Sequence, residues 1–65
     1  EFGASLAEGL YHLATIQLKA GLRDDAIRRY RLASVLDPFG RYGRLAREQL
    51  KSNGEDPYNL EFSAP

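Results

Sequence analysis

Residues 23–36 read as a helix that must lie close against another helix. Ala26, Tyr30 and Ala33 fall one and two turns apart on a single helical face. The two alanines leave room for a neighbouring backbone, and the tyrosine between them fills the space that remains. The run stops at Asp37-Pro38, because proline disfavours helical geometry in the residue before it. Ile27 and Ser34 extend the same face. Asp24 and Asp25 stand in the first turn, where the helix dipole favours negative charge.

A helix is expected on each side of this one. Upstream, Ser5 and Glu8 have the spacing of a capping box. Leu6, Leu10, Leu13, Ala14 and Gln17 then recur at helical spacing as the expected inward face. Glu8, His12, Thr15 and Lys19 lie opposite, and Gly21 ends the helix. Downstream, Asp37 is the expected cap and Pro38 the first position of a helix running to about Ser52. Its inward face is expected to be Phe39, Tyr42, Leu45, Ala46, Gln49 and Leu50, with Arg41, Arg44, Arg47 and Lys51 outward. Gly40 and Gly43 each weaken it by ~1 kcal/mol relative to alanine. Connections as short as those at Gly21 and Asp37 force successive helices to pack antiparallel. The segment "SNGEDP" reads as a stop and a turn, and "YNLEFSAP" as an extended or disordered end. The expected fold class is therefore all-α, an antiparallel helical hairpin with a third, capping helix and an extended C-terminal tail.

Composition narrows the function classes. The chain has 65 residues, no cysteine and one histidine. A domain this small buries only ~60% of its unfolded surface and often leans on a disulfide, a metal or a partner. Disulfides and thiolate metal sites are excluded. His12 has no second histidine and no acid cluster at ligand spacing, so neither a metal nor a cofactor is expected. No apolar run approaches the ~18 residues of a membrane span. Catalysis lacks a nucleophile with a base: Ser5 is assigned to a cap and Ser34 to a packed face. Net charge is zero but segregated. Residues 23–51 carry eight Arg or Lys against four acids, whereas residues 52–65 carry Glu55, Asp56 and Glu61 and no base.

The stretch "AEGLYHLATIQLKAGLRDDAIRRYRLASVLDP", residues 7–38, resembles one tetratricopeptide repeat, a 34-residue helix–turn–helix unit. Leu13, Ala14, Gly21, Ala26, Tyr30, Ala33, Leu36, Asp37 and Pro38 fall on positions of that family's pattern. Leu10 stands where the family often has tryptophan, and Gln17 departs from its usual aromatic. The resemblance divides the chain into a remnant or linker at 1–4, a single repeat at 5–38, a capping helix at 39–52 and an acidic tail at 53–65. Such arrays need about three repeats to bury a continuous core. Upstream repeats or a second copy of the chain are therefore expected to supply the missing surface.

The resemblance implies a peptide-binding groove along the first helix, with Glu8, Tyr11, His12, Thr15, Leu18 and Lys19 facing it. Tyr11 and Thr15 stand where some members carry a carboxylate-gripping Lys and Asn, so that clamp is not expected. Leu6, Ile16, Leu32 and Val35 are the expected oligomer surface, and Tyr58, Leu60 and Phe62 would present one apolar side of a docking tail. The function expected is a non-enzymatic interaction module with a protein or peptide partner. Homo-oligomerisation is the alternative. Nucleic-acid binding through Arg41, Arg44, Arg47 and Lys51 ranks below both, because Phe39 and Tyr42 are assigned inward and leave no stacking residue beside them.

Overall fold

The structure, a computed structural model, describes residues 2–59. It is all-α among these residues: α1 spans Phe2–Lys19, α2 Arg23–Leu36 and α3 Arg41–Ser52. The helices alternate in direction. A Cβ on Gly3, at the start of α1, would lie 2.8 Å from the carbonyl oxygen of Leu36, at the end of α2. Arg23, at the start of α2, reaches Asn53, just past the end of α3. α2 therefore packs on both neighbours, and α1 and α3 share a smaller contact.

The core is built of small residues around two large ones. Ala7 and Ala14 of α1, Ala26 and Ala33 of α2 and Ala46 of α3 are fully buried. Tyr30 and Leu50 are the largest side chains with no exposure. The α2 face predicted above, Ala26, Ile27, Tyr30, Ala33 and Ser34, is buried throughout. The α3 face holds for Ala46 and Leu50, with Tyr42, Leu45 and Gln49 half-buried.

Both first-to-second and third-to-tail junctions end in the same way. Gly21 and Gly54 have φ of +86° and +80°. The N–H after each, on Leu22 and Glu55, bonds back to Gln17 and Leu50 respectively. That left-handed C-terminal motif closes the last turn and suits glycine alone without strain. Gly43 serves a different need. A Cβ there would overlap the Asp37 carbonyl and approach Pro38 Cα to 3.3 Å. The lost helix propensity is the consequence of letting α3 sit directly on the connection.

Four expectations are corrected. α1 begins at Phe2, so Ser5 and Glu8 lie inside a helix and form no capping box. α3 begins at Arg41, not at Pro38: the Asp37 N–H still bonds to Ala33, and Gly40 is the extended residue before α3. Pro38 and Phe39 thus form the tip of a turn closed by a Gly40 N–H to Asp37 oxygen bond, and Phe39 is 99% exposed rather than inward. In α1 the expected Leu10 and Ala14 do face the core, where Ala7, Tyr11 and Leu18 join them. Leu6 and Leu13 face out. Finally, the turn expected after α3 is present at 53–54, and a second turn at 57–58 takes in Tyr58, which was expected to be extended. Leu60 and Phe62 of the expected docking tail lie outside the described residues.

Candidate protein-interaction face

Helical spacing puts Glu8, Tyr11, His12, Thr15, Leu18 and Lys19 along one side of α1. The structure splits them. Glu8, His12 and Lys19 are exposed, whereas Tyr11, Thr15 and Leu18 are half-buried. Thr15 donates its hydroxyl to the Tyr11 carbonyl at 3.0 Å, and its Oγ1 is 2.9 Å from the Tyr30 hydroxyl. A threonine has one proton to donate, so the tyrosine is the donor in the second bond. The buried phenol of α2 is thereby tied to α1.

α3 completes the face with a residue that sequence alone assigned inward. The Tyr42 ring lies 5.4 Å from both Tyr11 and His12, and Tyr11 lies 5.7 Å from Tyr30. Tyr11 and His12 are themselves 5.5 Å apart, edge to face. The Arg41 guanidinium stands 5.5 Å over the Tyr42 ring. The geometry is that of tilted and edge-to-face aromatic pairs, each contributing ~0.5–1.5 kcal/mol beyond simple burial. The result is a half-exposed aromatic patch across α1 and α3. The same two helices carry exposed charges of both signs, Glu8 and Lys19 on α1 and Arg41 on α3.

The remaining predicted residues go to two other places. Leu6 and Ile16 are exposed on the outer side of α1, and Leu32 is exposed on α2. Val35 joins Tyr58, Phe39 and Pro57 around an open cleft of about 450 Å³ between α2, the 37–40 turn and the tail. Tyr58 is exposed there, so it is not a buried anchor of the tail.

What holds the tail was not singled out from sequence. Arg31, buried on α2, donates to the carbonyls of Asp56 and Asn59 at 2.9 and 2.7 Å and to Glu55 Oε1 at 2.6 Å. Arg23 donates to Glu55 Oε2 and to the Asn53 carbonyl. Two arginines therefore grip one carboxylate and three main-chain oxygens. A signal did exist: Arg31 lies four residues after Ile27 and three before Ser34, within the packed stripe, where an unpaired charge could not remain. Arg47 is also occupied, donating to the Pro38 carbonyl at 2.7 Å. Arg28 pairs with Asp25.

No protein-family model, curated protein or solved structure matches this chain. Among the described residues no group of three or more His, Cys, Asp or Glu is placed to hold a metal ion. No described helix is long and apolar enough to cross a membrane.

Proposed function

We propose that this chain is a non-enzymatic protein-interaction module, similar to the C-terminal piece of a tetratricopeptide-repeat array, with α3 as its capping helix. It binds a peptide or protein segment across α1 and α3. The observation that carries this is the half-exposed Tyr11–His12–Tyr42 patch with Arg41 over it. Rigid aromatic side chains with a polar edge give large contact area at little entropic cost, and tyrosine and arginine are enriched where interfaces concentrate their energy. Exposed charges of both signs on these helices, Glu8 with Lys19 and Arg41, suit a peptide better than a polyanion. Nucleic-acid binding through α3 is the alternative, since Arg47 is engaged with the Pro38 carbonyl but Arg41, Arg44 and Lys51 are exposed, as is Phe39.

Selecting peptides from a random library against the chain tests this. His12 and Lys19 are exposed, so His12→Ala and Lys19→Ala should fold normally. Each is expected to weaken the selected peptides by about tenfold, a loss of ~1.4 kcal/mol, while Arg44→Ala leaves them unchanged. Peptides indifferent to both α1 substitutions would sink the assignment of this face. A labelled nucleic acid bound at low salt and released steeply as salt rises would favour the basic-domain reading instead.

A further inference from the structure

α1 is apolar on two sides. Its core side is Ala7 and Ala14 with Leu10, Tyr11 and Leu18. On the other side Phe2, Leu6, Leu13 and Ile16 remain 82%, 40%, 41% and 64% exposed. At 3.6 residues per turn these four align with Gly9 and Ala20, whose N–H still bonds to Ile16 and continues the last turn. No ionisable residue falls within this stripe, since Glu8, His12 and Lys19 lie to one side of it.

The stripe has a two-fold pattern. About a point level with Tyr11, Phe2 and Ala20 are equidistant, as are Leu6 and Ile16, and Gly9 and Leu13. An identical stripe running antiparallel therefore sets each large residue against a small one, and the two mid-sized aliphatics against each other. Gly9 is the residue that the single chain does not explain. A Cβ there would meet nothing within 4 Å, yet glycine weakens a helix interior. A leucine seated over it from a second helix supplies the reason for a missing side chain.

We propose that this stripe is a homodimer interface in which two copies pair their first helices antiparallel, each Leu13 over Gly9 of the other copy. The pairing is isologous, as a two-fold contact requires. It brings together two uncharged surfaces and buries no unpaired charge. Each stripe is ~27 Å long and ~10 Å wide, so the pair removes on the order of 1,000 Å² of accessible surface. That is the lower bound for a specific interface, and a dimer in the micromolar range or weaker follows. The stripe adjoins the aromatic patch at Ile16 and His12 but shares no residue with it, so the proposal does not rest on the peptide-binding assignment.

Sedimentation equilibrium of the 65-residue chain from about 10 µM to about 1 mM is the test, spanning the range where a weak dimer forms by mass action. The mass is expected to rise from 7.3 kDa towards twice that value. Gly9→Leu should weaken dimerisation at least about tenfold while raising the melting temperature at low concentration, because the added side chain meets open space and removes a helix-weakening glycine. The swap Gly9→Leu with Leu13→Ala should recover dimerisation, since it exchanges large and small across the two-fold. A wild-type chain that stays at 7.3 kDa throughout overturns the proposal and leaves the stripe to a preceding helix or a different protein. So does a Gly9→Leu chain that dimerises as well as the wild type. A folded swap variant that remains monomeric overturns the antiparallel register.

Discussion

Arg31 and Glu55 form a salt bridge at 2.6 Å although 24 residues separate them, and Arg31 is only 6% exposed. Its Nη1 donates to the Asp56 and Asn59 carbonyls. The tail turn is therefore fixed to α2 through main-chain oxygens and one carboxylate, and owes little to the aromatic ring of Tyr58. Removing one partner of a buried pair is expensive because the other is left desolvated.

Arg31→Met keeps the apolar stem and deletes the charge. It is expected to cost about 2–3 kcal/mol, since three tail acceptors lose a charged donor. Glu55→Gln should cost less, about 1 kcal/mol, because Glu55 is partly exposed. Hydrogen exchange at Tyr58 and Asn59, whose N–H groups bond to Asp56, should accelerate in the methionine variant. Unchanged exchange and unchanged melting would show that the clamp does not hold the tail.

Ala26 is fully buried on the face of α2 that carries Tyr30. Ala26→Leu should push α1 and α2 apart and cost ~1–3 kcal/mol. For a domain this small, 1 kcal/mol corresponds to roughly 4–8 °C in melting temperature, so calorimetry resolves the effect. A variant melting at the wild-type temperature would contradict the close packing of these helices.

Gly43→Ala sets propensity against sterics. Alanine gains ~1 kcal/mol of intrinsic helix stability, but its Cβ would overlap the Asp37 carbonyl, a backbone atom that cannot swing aside. The steric cost should win, giving a net loss of about 1–3 kcal/mol by chemical denaturation. A stabilised Gly43→Ala chain would mean that the 37–40 turn yields freely.

Gln17 Oε1 is buried without a hydrogen-bond partner. Gln17→Leu removes that acceptor at similar volume and should raise stability by about 1 kcal/mol, the low end of the penalty for an unsatisfied buried polar group. Loss of stability would indicate that the amide oxygen is satisfied in solution.

The inward face of α2 was readable in the sequence. The helix packs on both neighbours, so its small residues and Tyr30 form one broad stripe that a single period locates, although Leu32, Val35 and Leu36 lie outside it and Arg31 within it. α1 was not readable in this way. Leu10 and Ala14 of the expected face do meet the core, but Ala7 takes the place beside them that Leu6 and Leu13 were assigned. Both faces satisfy helical periodicity equally. Tyr42 was readable as packed but not as part of a surface patch, because a half-buried ring on the third helix belongs to both descriptions.

The sequence by itself determined the number of helices, where each one stops and the close approach at Ala26 and Ala33. Those features depend on residues within a turn or two of each other, through propensity, glycine in the left-handed region and the constraint of proline. The tertiary structure alone decided which of the two apolar stripes of α1 is buried, where α3 begins, and that Arg31 closes on Glu55. Each of these is a choice between locally equivalent options. The bulk of Tyr30 between its alanines, the contact of Gly43 on the Asp37 carbonyl, and the need of a buried guanidinium for acceptors settle them only when distant segments meet.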